Sequence, residues 1–256
     1  AWAVAHKQWK KLPYWWLVEK RSLSAAAAIH VTSEEERQEL ERLLPAARVA
    51  AIPNGVSPAT ALDREVTRDS THVVFLGRLH PVKALDRLAI ALSKITARAP
   101  GLHATFAGPD DVGEWERLQR QISTLEPRPS ISYVGPLAGP AKATLLRRAT
   151  VLVLPSHSEN FGQVVVEAMA AGAPVIASRS TPWQLLERYG AGLWVENDPD
   201  SLATAILQVL QNPEAAASMG RAGIRLSERF AWPGVAGQLA ELYQSVVLPR
   251  QACASS

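Results

Sequence analysis

Residues 151–172 read VLVLPSHSENFGQVVVEAMAAG, and the order of textures in this run decides the fold class. Val151 to Leu154 is an unbroken apolar run, which reads as a β-strand buried on both faces. A polar loop follows; it carries Glu159 and ends at Asn160-Phe161-Gly162. Val164 to Ala171 then reads as a helix that stops at Gly172. A second carboxylate, Glu167, sits in that helix between Val166 and Ala168. An ionised group among apolar neighbours needs a partner or water, because burying charge uncompensated is costly. The run therefore predicts a cleft in which Glu167 meets a polar ligand.

The same alternation repeats on either side. Strands are expected at His72–Leu76, closed by Gly77, and at His103–Ala107, broken by Gly108-Pro109-Asp110. Further strands are expected at Ile131–Val134, ending at Gly135-Pro136, at Pro174–Ala177 and at Gly192–Val195. Between them, Val82–Ala97 reads as a helix with Leu85, Leu88, Ala89 and Leu92 on one face. Helices are also expected through Trp115, Leu118 and Ile122, and at Ala141–Arg148. Ser201–Leu210, Glu214–Arg229 and Val235–Val247 complete the helical set. Strand–helix alternation of this kind means an α/β fold: a Rossmann-like parallel sheet with helices on both faces. In such sheets ligands bind outside the carboxyl ends of the strands. The loops at that edge carry Gly77-Arg78, Gly108-Pro109-Asp110, Gly135-Pro136 and Ser156 to Gly162.

The chain has 256 residues, of which 47% are hydrophobic and 20% charged, enough for a large core and too apolar for a disordered chain. A formal charge of +3 supplies no field that argues for nucleic acid. The single cysteine, Cys253, cannot form an intrachain disulfide, and no apolar run is long enough to span a bilayer. The first stretch differs from the rest. Trp2, Trp9, Tyr14, Trp15 and Trp16 are interleaved with Lys7, Lys10, Lys11, Lys20 and Arg21. It reads as a helix without its core partner, with a membrane surface as the alternative. His30–Ser33 reads as a short strand running into a helix capped by Thr32 or Ser33, with Glu34, Glu35 and Glu36 in the first turn. Ala50–Ile52 ends at the turn Pro53-Asn54-Gly55. Residues 1–56 are thus expected to be the end of an α/β domain whose beginning is missing, 57–70 a linker, and 71–256 the sheet domain. Asp198-Pro199-Asp200 has the spacing of a metal-binding D-x-D, but an acidic cap before a helical proline is the better reading. His6, His30, His72, His80, His103 and His157 show no metal-ligand spacing, so no metal site is expected. Asp110-Asp111 is expected to close near the loop edge.

These motifs resemble the retaining glycosyltransferases of family 4, which have the two-domain GT-B fold. Pro53-Asn54-Gly55-Val56 is similar to that family's interdomain hinge. Gly77-Arg78-Leu79 and then Lys83 are similar to its phosphate-binding pair, with Ala84 where the family usually has glycine. Pro155-Ser156, Glu159-Asn160-Phe161-Gly162, Glu167 to Gly172 and Pro174-Val175-Ile176 are similar to its E-x7-E signature. Thr181-Pro182-Trp183 and Gly192–Val195 resemble members that build bacterial envelope or exopolysaccharide glycans. The resemblance implies that the chain is mainly the C-terminal donor-binding half, with the N-terminal acceptor-binding domain missing. It implies that the last helix, 235–247, packs back toward that domain.

The implied reaction moves a sugar from a nucleotide-sugar to a glycan or lipid-linked acceptor, with retention of configuration and no obligate cofactor. A UDP-sugar is the expected donor, with GDP- and ADP-sugars as alternatives. By the same resemblance Glu159 contacts the transferred sugar, Arg78 and Lys83 the leaving diphosphate, and Glu167 the ribose. Gly77, Val134, Asn160, Phe161, Gly162 and Gln163 complete the donor contacts, Val134 through its backbone to the base. The implied location is cytoplasmic, peripheral at the inner face of the membrane. This truncated chain is expected to transfer poorly alone. A sugar-nucleotide epimerase and a non-catalytic nucleotide-sugar-binding module are the alternatives. The physical chemistry agrees with donor binding. A departing diphosphate gains negative charge, so preorganised cations and N–H donors aimed at it lower the barrier. Arg78 can grip phosphate with two N–H groups, Lys83 acts as a point charge, and the helix start near Gly162 offers free N–H groups. Paired carboxylates alone would also fit glycoside hydrolysis; opposite two cations they read better as donor-holding groups.

Overall fold

The computed structural model describes residues 18–57 and 67–252, the side chains of 248–252 excepted. The expectations for the Trp/Lys stretch up to residue 17, for 58–66 of the linker and for Cys253 lie outside the described residues. The chain divides into two compact units, Ala1–Ser57 with Phe230–Ser256, and Pro58–Arg229.

In the first unit α1 (Lys20–Ala25) precedes β1 (Ile29–Val31), α2 (Glu34–Leu43) and β2 (Val49–Ala51). The two strands pair in parallel, Ile29 opposite Val49, over a small core of Ile29, Val31 and Leu44. Ser33 is the cap of α2: its hydroxyl accepts from Glu36 N at 3.2 Å. The Glu36 carboxylate in turn accepts from Thr32 N at 2.9 Å, a reciprocal arrangement that satisfies two otherwise orphaned donors.

The second unit follows the alternation read from the sequence. In order come β3 (His72–Leu76), α3 (Leu85–Ile95), β4 (His103–Ala107), α4 (Glu114–Ile122), β5 (Ile131–Tyr133) and α5 (Gly139–Arg148). Then come β6 (Val151–Leu154), α6 (Gln163–Ala170), β7 (Val175–Ser178), α7 (Leu185–Arg188), β8 (Gly192–Val195), α8 (Pro199–Gln211) and α9 (Pro213–Ser227). The six strands form one parallel sheet in the order β5-β4-β3-β6-β7-β8. Every residue of β3 and β6 is buried, as an apolar run in the middle of a two-sided sheet must be. Helices α3, α4 and α8 pack together, as do α5, α6 and α9, so both faces are covered. The strand order reverses between β3 and β6, which makes the carboxyl ends of these two strands the crevice of the sheet.

Several boundaries differ from expectation for physical reasons. The helix expected from Val82 begins instead as a 3-10 turn, Pro81–Lys83, because His80 Nδ1 accepts from Val82 N and holds the chain tight. Ala84 then adopts φ 48° and ψ 43°, and α3 starts after it. Val134 lies beyond β5, although its N–H still donates to Phe106 O at 3.1 Å. Residues read as the end of a linker are tied to this unit: Asp69 N donates to Arg148 O at 2.9 Å, and Arg68 Nη2 to Ala171 O at 3.2 Å. Asp198 is the N-cap of α8, accepting from Asp200 N and Ser201 N at 2.9 Å each. Hydrogen bonds from Ser201 are the main reason its carboxyl sits below the usual carboxylate range. The cap reading of Asp198-Pro199-Asp200 is therefore the structure's own. An open depression of about 580 Å³ runs along β8 and α8, where Arg179 lies 5.0 Å over the Trp194 ring.

The last helix, α10 (Trp232–Ala252), belongs to the first unit. Val56 N donates to Phe230 O at 2.8 Å, and Val56 forms a parallel bridge with Ala231. Gly55 lies against the Trp232 ring so closely that a side chain would collide with it. Arg48 Nη2 donates to Ser245 Oγ at 2.8 Å. Among the described residues no helix is long and apolar enough to cross a membrane.

Candidate functional site

The crevice between β3 and β6 gathers most of the residues singled out in the sequence. The loop after β3 carries Gly77, Arg78 and Lys83; the loop after β6 carries Glu159 to Gly162. The two loops are joined through the backbone, His157 N donating to Val82 O at 2.7 Å. They are joined again through side chains: Lys83 Nζ donates to Glu159 Oε2, and Ser156 Oγ donates to the same oxygen at 3.2 Å. Lys83 and Glu159 are both mostly buried, at 16% and 17% side-chain exposure, so each depends on the other for compensation. Arg78 is exposed, and among the described residues its side chain has no hydrogen bond or ion pair. It is the cation at this edge still open to a ligand.

Backbone conformation shapes the same crevice. Gly162 adopts φ 76° and caps α6. A side chain there would meet Glu159 Cγ, Leu154 Cδ2 and Trp183 Nε1, each at 3.1 Å. The loop is thereby held at the first turn of α6, whose leading N–H groups have no intrahelical partner. Phe161 is buried; its ring packs on Trp183 at 5.4 Å between centroids, and Trp183 Nε1 donates to its carbonyl. Asn160 and Gln163 are exposed beside it. On the other side, Gly77 N donates to Ala107 O at 2.9 Å and Gly108 N to Gly135 O at 2.8 Å. Gly108 packs onto the Gly77 carbonyl, so no other residue fits between these two loops. Val134 is exposed at the adjacent loop with its N–H already donated, which leaves its carbonyl. Asp110 accepts from Glu114 N and Trp115 N at 2.8 and 3.0 Å. It works as a cap of α4, a role that expectation had left unassigned.

Glu167 lies one helical turn further in. Its apolar neighbours call for a partner, and the protein supplies one. Lys142 Nζ from α5 donates to Glu167 Oε1 at 2.8 Å, and the carboxylate is 20% exposed. The second acid is compensated by the protein, and one of its oxygens remains for another donor.

A family model described as Glycosyl transferases group 1 matches residues 63–226, and one described as Glycosyltransferase Family 4 matches residues 1–60. The chain belongs to the group 1 glycosyl transferases. It is 30% identical over 249 residues to the D-inositol 3-phosphate glycosyltransferase 2 of Catenulispora acidiphila, covering 88% of this chain and 57% of that relative. Sucrose-phosphate synthase from Thermosynechococcus elongatus superposes with a TM-score of 0.80 at 29% identity, over 100% of this chain and 65% of that one. Anabaena HepE, solved in complex with UDP and glucose, shares the fold at TM-score 0.73 and 22% identity, over 86% and 64% of the two chains. The chain spans about half the length of the curated relatives it matches.

In this group 1 glycosyl transferase three site neighbours escaped the sequence reading of the site: Lys142, Ser156 as a partner of Glu159, and Trp183 as the clamp on Phe161. Lys142 and Glu167 are 25 positions apart on different helices, and no spacing rule links them. Trp183 did carry a signal, because a tryptophan between two short polar turns needs a partner for its N–H.

Proposed function

We propose that this chain is the donor-binding part of a retaining glycosyltransferase that holds a nucleotide-sugar in the crevice between β3 and β6. The observation that carries the reading is the meeting of the two loops there: Arg78 open to a ligand, Lys83 latched to Glu159, and the α6 N-terminus behind Gly162. Arg78, Lys83 and the helix start supply positive charge for the diphosphate, Glu167 accepts from the ribose hydroxyls, and Glu159 faces the transferred sugar. Gly77, Asn160, Phe161, Gly162 and Gln163 line that path, and the Val134 carbonyl reaches the base. In transfer, the bond from the sugar's anomeric carbon to the diphosphate oxygen breaks. A bond to the acceptor oxygen forms on the same face, and the departing diphosphate takes up the acceptor's proton. Stabilising charge on the leaving group is the largest share of such a barrier that a protein can lower.

A UDP-sugar is the preferred donor in this reading, and the capture of HepE with UDP and glucose supports it. The acceptor is a glycan or a lipid-linked saccharide. Residues 1–56 belong in this reading to an acceptor-side domain, residues 57–70 to a linker, and residues 71–256 to the donor domain, with α10 returning to the acceptor side. The work is done in the cytoplasm, at the inner face of the membrane.

The test is a thermal-shift panel of UDP, GDP and ADP, and of their sugar conjugates, on the 256-residue chain. The expected result is a rise in Tm with UDP ligands and at least a tenfold loss of affinity, about 1.5–3 kcal/mol, in Glu167→Ala and in Arg78→Ala. Unchanged binding in both variants would sink the reading.

A further inference from the structure

Lys142 and Glu167 meet between two helices, and both keep hydrogen-bonding capacity that the pair itself does not use. Lys142 lies in the first turn of α5, its N–H donating to Ala138 O at 3.5 Å, and Glu167 lies in α6. Lys142 Nζ donates to Glu167 Oε1 at 2.8 Å. The side chains are 32% and 20% exposed, so the pair is neither sealed in the core nor fully out in water. An ammonium has three N–H donors and a carboxylate has two accepting oxygens. One N–H and one oxygen are engaged with each other, and among the described residues neither group makes a further hydrogen bond.

A hydroxyl is the group that suits such a pair. Its O–H donates to a carboxylate oxygen while its own oxygen accepts from an N–H. A phosphate is repelled by the carboxylate, and a carbonyl can only accept. The surroundings fit a hydroxyl carried by a nucleoside. Val134 stands half exposed just beyond β5, with its carbonyl available, and the loop it opens runs directly into the first turn of α5. In the proposed function Val134 meets the base and Glu167 the ribose, and Lys142 then stands at that same ribose.

We propose that Lys142 is a specificity-determining residue that reads the ribose diol jointly with Glu167. This rests on the proposed function, which puts the ribose at Glu167. A ribose hydroxyl donates to Glu167 Oε2 and accepts from Lys142 Nζ, while the ion pair holds the carboxylate in place. A sugar lacking that hydroxyl leaves an N–H and a carboxylate oxygen without their partner, and a site built to hydrogen-bond a hydroxyl rejects such an analogue strongly. A plain tie between α5 and α6 would not do this, because it needs the one Lys142–Glu167 bond and nothing from the ligand.

The experiment measures the Kd of UDP, 2′-deoxy-UDP and 3′-deoxy-UDP on the 256-residue chain by calorimetry. The parent is expected to bind UDP at least about tenfold more tightly than one of the two analogues. Lys142→Met should weaken UDP and leave that analogue nearly unchanged, so that the gap closes to about threefold or less. Lys94→Met removes another lysine–carboxylate tie between two helices, the one to Asp200, and should leave all three affinities as they are. Arg78→Ala should weaken all three ligands alike, since it acts on the diphosphate they share. If Arg78→Ala does so and Lys142→Met keeps the parent's ratio, or weakens UDP and the analogues equally, this inference alone is overturned. It is equally overturned if the parent binds UDP and both analogues with the same affinity, a result that needs no variant. If none of the three binds, the donor site itself fails and the inference falls with it.

Discussion

Strand β3 ends in two different ways. At its carboxyl end the groups are charged and carried by loops: Arg78 open to solvent, and Lys83 reaching across to Glu159. At its amino end the groups are carried by the strands themselves, and register alone brings His72 against His103. The first end keeps charge where a ligand can arrive and relies on unusual backbone conformations to hold it. The second is knit by hydroxyls: Thr150 Oγ1 accepts from His72 N at 2.8 Å and donates to Asp69 O at 2.5 Å. One strand thus has an edge shaped by loop geometry, the proposed binding edge, and an edge fastened by pairing.

The contrast can be broken most forcefully at Gly162. Gly162→Ala puts a side chain into a left-handed conformation already crowded by Glu159, Leu154 and Trp183. It should cost about 2–3 kcal/mol of stability in a denaturant titration and weaken nucleotide binding at the same time. If nucleotide affinity survived intact, the loop would not be part of the binding edge. Thr150→Val probes the other end. It strands the buried His72 N–H and should lower stability by about 1–2 kcal/mol while leaving nucleotide affinity as it was. A matching loss of affinity would mean that the two ends are not separable. The smallest effect is expected at Ala84, a non-glycine residue at φ 48° with a fully buried side chain. Ala84→Gly should raise stability by about 0.5–1 kcal/mol, as relief of left-handed strain outweighs the extra freedom of the unfolded chain. A fall in the denaturation midpoint would show that packing of the Ala84 methyl dominates.

The alternation of strands and helices was legible because buried parallel strands are short apolar runs and their helices show one apolar face. The boundaries at Val82 and Val134 were not, since a histidine-held turn and a loop residue that keeps one ladder hydrogen bond leave no periodic mark. The run from Glu159 to Glu167 was visible as a polar loop leading into an apolar helix. Its counter-charges were not: Lys83 pairs with Glu159 from 76 positions away, and Lys142 with Glu167 from another helix. His72 and His103 become neighbours only through sheet register, which short-range spacing cannot express.

The Lys83–Glu159 pair has a consequence for discrimination among anions. While the two are joined, the inner part of the crevice is close to neutral, and an approaching anion feels chiefly Arg78. Taking Lys83 from Glu159 requires a ligand that brings comparable negative charge to the ammonium and also offers the released carboxylate new hydrogen-bond donors. Inorganic phosphate can do the first but is poor at the second. A sugar diphosphate, with anionic oxygens next to hydroxyl groups, can do both. On the proposed function, the pair is a threshold that small anions do not cross, and occupancy is expected to follow the shape of the whole donor and not its charge alone.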